Sequence, residues 1–454
     1  MLPERICRAL HAKRSFIVRE ARTRMVVGRT RGLSGIRKFG LRRQHDAQSD
    51  QTDETNCKTP RSSHHRGIIR SLSNFPDRLR QMTARKILFG LTFAALLAGC
   101  SAGQTDLSET VSLLRLPEGG RLPHAVIDSA GTVHVVYFEG EPRSGDLRYV
   151  TRPIDAVTWS EPMYVNSQPG TVVGIGPIDG GQIALGKNDR VHVVWFKLNR
   201  TEFLYTRTTE DGTAFEPQFS LAAGAGVEAG PSVAADDAGN VYVFWHTGEP
   251  PESERSVFMT MSNDDGERFT AARPISRASE GACDCCALHA RTDDAGVVYV
   301  SYRGAGNNIR RGQRLLTSHD RGASFSDELI DLWEINACPI STTGLTNGPT
   351  GMSVAWETEG QVYFTKTDSL RQAVSPGGTA DARRRNPRVA INHVGESLFV
   401  WGDAISWQAG GAFHWQQFDS AGQPMSNSGT GAEIPDGSLP AVVAEPDGTF
   451  LVIY

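Results

Sequence analysis

The sequence predicts an all-β fold, a β-propeller of four-stranded blades, and three observations predict it. Seven short runs rich in β-branched and aromatic residues recur at intervals of about 50 residues, the spacing of propeller blades. A turn containing Gly or Asp precedes each run, which indicates a β-hairpin. An acidic turn closed by a phenylalanine follows several hairpins. The runs begin at Val133, Val191, Val241, Val298, Met352, Leu398 and Phe450.

The number of these runs favours seven blades, with six blades as the alternative. Each run is nearly continuous in apolar character, as expected for strands that neighbouring blades cover on both faces. The last run ends the sequence after only two strands of a repeat, whereas residues 110–116 have the composition of a strand and precede the first repeat. We therefore expect strands from both ends of the sequence to share one blade, which closes the ring and removes a free sheet edge.

The acidic turn has the pattern Ser-x-Asp-x-Gly-x-x-Phe. Its Ser or Asp side chain can bond local backbone N–H groups, its glycine relieves the tight turn, and its aromatic ring can cover the sheet. Two good copies are Ser262, Asp264, Gly266 and Phe269, and Ser318, Asp320, Gly322 and Phe325. These turns resemble the Asp-box (BNR) repeats of the sialidase-like propeller superfamily, and the resemblance implies that they are structural and lie on the outer strands.

The region before the repeats differs in composition. Residues 1–81 contain 19 Lys and Arg against 7 Asp and Glu, without a sustained apolar period, which is typical of a disordered segment. Met82 is followed by a short basic stretch, an apolar run and small residues before Cys100, the pattern of a secretory signal peptide. We therefore predict a signal peptide over residues 82–99 and translation from Met82, with residues 1–81 as a misread upstream segment.

The Leu-Ala-Gly-Cys sequence at residues 97–100 resembles the lipobox of bacterial lipoproteins. The resemblance implies a lipid on Cys100, a tether over residues 100–108 and a propeller over residues 109–454. Ser101 implies sorting to the outer membrane of a Gram-negative cell, on its periplasmic or outer face. After residue 99 the chain has 26 Lys and Arg and 44 Asp and Glu, a net charge of −18. This charge disfavours nucleic acid and leaves membrane contact to the acyl chains.

The first repeat is the closest match to true sialidases. Arg121 lies in Gly-Arg-Leu-Pro, which resembles the family's aromatic-Arg-Ile-Pro motif, whose arginine is one of three that bind the sialate carboxylate. The resemblance makes Asp146 the counterpart of the acid/base aspartate and offers Arg303 and Arg388 as the other two arginines. The family's late nucleophilic tyrosine has no clear counterpart, because Tyr454 lies inside a predicted strand and is the only tyrosine in the last ninety residues. An exo-sialidase is therefore an alternative to the leading prediction.

Four of the seven cysteines are the one local feature that the repeat does not explain. Cys283, Cys285 and Cys286 precede the innermost strand of blade 4 and Cys338 precedes that of blade 5, so we expect the four thiols to converge. Three interpretations stay open for an exported protein. They are disulfides, with Cys338 joining the two blades, a copper(I) or zinc site with His289 as a further candidate ligand, and a redox site.

The leading prediction is a lipid-anchored, exported propeller that binds a glycan or a protein through its loop face and channel mouth. An exo-sialidase or related glycoside hydrolase is the first alternative, and a metal or redox protein built on the cysteines is the second. A row of tryptophans at one strand position is predicted to be blade core rather than a platform for sugar stacking. These residues are Trp195, Trp245, Trp356 and Trp401.

Overall fold

The structure is a computed structural model that describes residues 110–197, 202–223, 230–378, 383–405 and 409–454. Within these ranges, 26 strands form seven separate sheets. The first strand, β1, is Val111–Leu114, and blades 1 to 3 follow it. Their strands are β2 Arg121–Ile127, β3 Val133–Glu141, β4 Ser144–Arg152 and β5 Met163–Tyr164; β6 Gly181–Leu185, β7 Val191–Phe196, β8 Glu202–Arg207 and β9 Phe219–Ala223; β10 Ser232–Ala235, β11 Val241–Thr247, β12 Ser256–Ser262 and β13 Arg273–Pro274.

Blades 4 to 7 complete the series. Their strands are β14 His289–Thr292, β15 Val298–Arg303, β16 Gln313–Ser318 and β17 Ser326–Asp331; β18 Gly344–Gly348, β19 Gly351–Thr358 and β20 Gln361–Lys366; β21 Arg384–Ile391, β22 Ser397–Asp403, β23 Gly411–Phe418 and β24 Pro424–Ile434; β25 Ala441–Ala444 and β26 Phe450–Ile453. The helical segments of the described ranges are three 3-10 turns. These are Lys187–Asp189, Glu252–Glu254 and Ala278–Glu280.

The first strands of the seven blades surround a central channel. Each contacts the first strand of the next blade, and β25 contacts β2, so the ring is closed. The chain is a seven-bladed β-propeller. This confirms the predicted fold class and the preferred blade number.

Two blades depart from the predicted four-stranded pattern. Blade 5 has three strands and a single further bridge, between Phe364 and Val374, because the Pro-Gly-Gly sequence after Val374 disfavours a longer strand. Blade 7 also has three strands, and its third strand is β1. This strand pairs in parallel with β26, with Val111 opposite Phe450. The expected sharing of one blade by strands from both ends of the sequence is therefore confirmed.

The second strand of each blade is its buried centre. All six residues of β7 are buried, as the continuous apolar run predicted. The recurring tryptophans are buried as well, with exposed fractions between 0% and 6%. They are blade core, as predicted, and are Trp195, Trp245, Trp356 and Trp401.

Alternating strand direction gives the propeller two different ends. The turn face carries the first-to-second and third-to-fourth strand turns, and the loop face carries all other connections. The Asp boxes lie on the turn face. In the first, Ser262 accepts a hydrogen bond from Gly266 N–H (2.9 Å) and donates to Asp264 (2.7 Å), while Phe269 packs 4.9 Å from the ring of Tyr205 in blade 2. Each box therefore fastens its own turn onto the preceding blade.

The predicted upstream segment at residues 1–81, the signal peptide at residues 82–99, and Cys100 with its tether at residues 100–108 lie outside the described residues. In the part of the chain that is described, no helix has the length and apolar character needed to cross a bilayer.

Candidate functional site

Four cysteines meet on the loop face between blades 4 and 5. Cys285 and Cys338 form a disulfide that joins the two blades. Cys283 and Cys286 are free thiols whose Sγ atoms are 3.1 Å apart, and Cys283 Sγ also lies 3.3 Å from Cys285 Sγ. The structure thus brings together all four cysteines that the sequence placed in this region.

Exposure falls steadily along this chain of sulfur atoms. Cys338 is exposed and Cys285 is half-buried, whereas Cys283 and Cys286 each have an exposed fraction of 0%. The two buried thiols are spaced as Cys-x-x-Cys, a pair that the intervening Cys285 conceals in the sequence. The cluster therefore consists of a disulfide that is accessible to solvent at Cys338 and a pair of free thiols that are buried beneath it.

The thiol of Cys286 lies among hydrogen-bond donors. Ser341 donates to its Sγ atom from the backbone N–H (3.4 Å) and the hydroxyl (3.5 Å). Burial alone would raise the pKa of Cys286, but hydrogen bonds from Cys283 and Ser341 and the charge of Arg303 lower this pKa to about 6. The hydrogen bond to Cys286, followed by burial, raises the pKa of Cys283. Cys286 is therefore the thiolate of the pair and Cys283 is its donor.

Arg303 is the buried centre of this region, with an exposed fraction of 1%. Its Nε donates to the Ser341 hydroxyl (2.8 Å), Nη1 donates to the carbonyl of Arg311 (2.8 Å), and Nη2 donates to the carbonyl of Glu357. Burial raises the pKa of the Glu357 carboxyl to about 7, against the opposing charges of Arg385 and Arg303. One oxygen of this carboxyl has no hydrogen-bond partner within the described part of the chain. Arg303 thus links the ends of blades 4 and 5 beneath the cysteines.

Two ion pairs hold the cysteine loop in place. Arg311 pairs with Glu252, and Arg255 pairs with Asp284, which lies between the first two cysteines. Glu252 and Arg255 come from blade 3, so the first pair connects that blade to the loop before β16 and the second connects it to the cysteine loop before β14. The sequence analysis did not single out either pair, because no local pattern marks contacts between different blades.

The donor set for a metal ion differs from the predicted one. Atoms of Glu252, Cys283, Cys285 and Cys338 lie within 4.8 Å of one another. Because Cys285 and Cys338 are joined in a disulfide, this set fits a soft cation such as copper(I) only after reduction. His289 is not part of it, since β14 carries this residue into the channel, where Nδ1 accepts the N–H of Leu345 at 2.7 Å. The structure therefore places this candidate ligand in the channel and not beside the cysteines.

An apolar patch lies close in sequence to Cys338, the exposed half of the disulfide. The loop before β16 and the segment after β17 run side by side, and Ile335 N–H donates to the carbonyl of Ile309 at 2.9 Å. Ile309, Leu329 and Leu332 have exposed fractions of 42%, 42% and 40%. We call these three residues with Trp333 the apolar patch. Cys338 follows Ile335 after only two intervening residues.

The residues suggested by the sialidase resemblance do not form one exposed cluster. Arg121 donates to a backbone carbonyl of β3 (3.0 Å), and Asp146 accepts a hydrogen bond from Asn166 (2.8 Å). Arg388 lies in the central channel. Arg303 donates from each of its three nitrogens to protein oxygens, and with an exposed fraction of 1% it is closed off from a substrate carboxylate. A carboxylate clamp of Arg121, Arg303 and Arg388 is therefore not formed.

The central channel holds a second polar cluster. His124 and His289 meet across it with their Nε2 atoms 3.1 Å apart, and Arg291 and Arg388 line the same cavity of about 70 Å³. A larger cavity of about 460 Å³ opens on the turn face, where aspartates of the first turns surround it. The sequence analysis missed His124 and Arg291, although imidazole and guanidinium groups in innermost strands are themselves a signal.

Comparisons with known proteins add low-identity structural matches. No family model matches the sequence, and no curated protein matches it. Among solved structures, the chain is similar to a six-bladed lectin from Aleuria aurantia, with 13% identity, a TM-score of 0.40, and coverage of 70% of this chain and 96% of the lectin. It is also similar to an α-L-arabinofuranosidase from Fusarium graminearum, with 11% identity, a TM-score of 0.43 and coverage of 63% and 88%.

A third match is the NanB sialidase from Streptococcus pneumoniae, with 10% identity and a TM-score of 0.40. The match covers 64% of this chain and 66% of that enzyme. The assignment of the propeller itself rests on the strand pairing described above.

Proposed function

We propose that this protein is an exported binding propeller whose loop face, between blades 4 and 5, captures a protein partner by thiol–disulfide exchange. The observation that carries the proposal is the contact between an accessible disulfide and a buried dithiol. Cys283 Sγ is 3.3 Å from Cys285 Sγ and 3.1 Å from Cys286 Sγ. A disulfide that only staples two blades needs no free thiols beside it. The apolar patch supplies a surface on which a polypeptide can dock.

The first step of the proposed exchange needs no added oxidant, because one disulfide forms as another breaks. Cys283 passes its proton to the Cys286 thiolate, 3.1 Å away, as its sulfur attacks Cys285 Sγ. The Cys283–Cys285 bond forms, the Cys285–Cys338 bond breaks, and Cys338 leaves as an exposed thiolate. In the second step Cys338 attacks a disulfide of an exported partner, forms a mixed disulfide and releases one partner sulfur as a thiolate. That thiolate takes up the proton that Cys283 lost. The partner is thus held covalently at the loop face.

The test is to trap the exposed thiol in folded protein that holds one disulfide and two thiols. With a maleimide and no reductant, we expect Cys338 to be labelled in the wild type, located by peptide mass after acid quenching. Cys283→Ser should slow this labelling by about tenfold or more, because the attacking sulfur is gone. In Cys286→Ser the attacking sulfur remains, so labelling of Cys338 should persist and should become faster as the pH rises and Cys283 loses its own proton.

Four other outcomes would overturn the proposal. Labelling that requires unfolding would make the disulfide a structural staple. Copper or zinc that stays bound while all four thiols are unreactive would make the cluster a metal site. Hydrolysis of a sialoside that Arg121→Ala or Asp146→Ala abolishes, or specific glycan binding that the cysteine variants leave unchanged, would move the functional site away from the cysteines.

We also propose that the chain is exported and anchored to the outer membrane through a lipid on Cys100, a proposal that the sequence pattern supports. The wild type grown with labelled palmitate should carry the label and fractionate with membranes. Cys100→Ala should lose the label, because the acylated sulfur is missing, and should leave the membrane fraction. Cys338→Ala, at an exposed cysteine within the propeller, is the matched control and should change neither result. Label that persists in Cys100→Ala would contradict the anchor.

A further inference from the structure

A cluster of hydrogen-bond donors without an acceptor lies inside the central channel. His124 of β2 and His289 of β14 belong to blades 1 and 4 and meet across the ring, with their Nε2 atoms 3.1 Å apart. Arg291 of β14 and Arg388 of β21 line the same cavity. Among the described residues, no acidic side chain lines this cavity. The channel therefore concentrates positive charge at this depth.

The hydrogen bonds of the two imidazoles fix where their protons lie. Leu345 N–H donates to Nδ1 of His289 at 2.7 Å, and Ile183 N–H donates to Nδ1 of His124 at 3.3 Å. A nitrogen that accepts a hydrogen bond carries no proton, so a neutral ring must carry its proton on Nε2. The two Nε2–H groups then face each other donor to donor. Such a contact is stable only when both groups share an acceptor.

Protonation of either ring does not remove the conflict between the two facing Nε2–H groups. Burial, with the charges of Arg388 and Arg291, lowers the pKa of His124 to about 3. Burial also lowers the pKa of His289 well below its usual value. Both rings are therefore neutral at physiological pH and remain two opposed donors.

The two arginines carry charge that no ion pair within the described residues neutralises. Arg291 is half-buried and makes no hydrogen bond or ion pair with a described residue. Its electrostatic partner is Asp294 at the larger cavity, whose charge raises the pKa of Arg291 against the larger lowering effect of burial. Arg388 donates only through Nη1, to the hydroxyl of Thr342 (3.2 Å) and to two backbone carbonyls. Burial lowers the pKa of Arg388 to about 10, so its guanidinium stays charged at neutral pH. Enclosed charges without a counter-ion are costly, which favours binding of one.

We propose that this cluster binds a small anion, a halide or a carboxylate group, between the two Nε2–H groups and the two guanidiniums. The cavity of about 70 Å³ has room for a group of this size. A metal ion is disfavoured, because a histidine that binds metal through Nε2 normally donates from Nδ1. The bound anion joins blades 1, 4 and 6.

The first test measures thermal unfolding of the full chain in a buffer whose only anion is bulky HEPES. Bromide and formate are the probes, each titrated at constant ionic strength, and we expect saturable stabilisation by at least one. Arg291→Gln should weaken the apparent affinity by about tenfold or more. Without bromide this variant should be at least as stable as the wild type, since it removes an unpaired charge. Arg143→Gln, at an exposed turn on the loop face, should behave as the wild type.

A second test locates the ion. Crystals soaked in bromide should show an anomalous peak within hydrogen-bond distance of both Nε2 atoms. Stabilisation by formate alone would identify the site as one for a carboxylate, and stabilisation by bromide would identify it as a halide site. Absence of a saturable response to either probe, an equal loss of response in Arg143→Gln, or a bound cation at the imidazoles would overturn the proposal.

Discussion

A proline at Ser112 should open the propeller ring and cost several kilocalories per mole of unfolding free energy. In a parallel pair, alternate residues of a strand bond to a given neighbour. Here the residues of β1 and its flanks that bond to β26 and Tyr454 have even numbers: Thr110 and Leu114 accept, and Leu116 donates. Ser112 belongs to this set, so Ser112→Pro removes a ladder donor and disturbs the strand. We expect a loss of about 3 kcal/mol or more in urea unfolding followed by tryptophan fluorescence.

The neighbouring residue provides the matched control. Leu113 has an exposed fraction of 41%, and its N–H points away from β26. Leu113→Pro should therefore cost about 1 kcal/mol or less. Deletion of residues 1–116 should have the largest effect, on the order of 5 kcal/mol, because it removes the whole ladder and the buried Leu116. Equal losses in the two proline variants would show that β1 does not close the ring.

Arg303→Met should destabilise the propeller by about 3–5 kcal/mol, the cost of breaking a buried polar network. The substitution leaves the oxygens of Ser341, Arg311 and Glu357 without their donor in the buried space between blades 4 and 5. Because the charge of Arg303 helps to lower the pKa of the Cys286 thiol to about 6, this pKa should rise in the variant. Urea unfolding measures the first effect, and the pH dependence of alkylation measures the second.

Arg268→Met is the comparison for this experiment. Arg268 pairs with Asp264 in an Asp box, and its side chain has an exposed fraction of 80%. Its replacement should change the unfolding free energy by no more than about 0.5 kcal/mol. An Arg303 variant as stable as the Arg268 variant would contradict the structural role of Arg303 and would restore its candidacy as a ligand-binding arginine.

The fold was predictable from sequence wherever its signal is local. The buried second strands are continuous apolar runs, and a turn within a few residues fixes each hairpin. The shared last blade was also predictable, because two strands of the seventh repeat were missing and a strand-like segment preceded the first. The third strand of blade 5 lacks a full partner because Pro376 and two glycines interrupt the chain there, a detail that repeat counting overlooked.

The site was predictable only in part, because its contacts depend on how distant strands are arranged around the ring. Convergence of the cysteines followed from the order of the blades, whereas the Cys283–Cys286 contact depends on the turn between them. His124 and His289 are 165 positions apart in the sequence. Only the register of the innermost strands brings them together, so the sequence offered His289 as a candidate for the cysteine cluster and did not single out His124.

The parallel pairing of β1 with β26 also determines the order of events during folding. Val111 cannot pair with Phe450 until every intervening blade has been synthesised. The last contact to form is therefore the one between the residues that lie farthest apart in the sequence. Contacts of this kind slow folding. Until they form, the edges of the first and last blades remain open to neighbouring chains and to proteases. The incompletely folded chain is therefore expected to be exposed to aggregation and proteolysis for longer than a chain of similar length with local topology.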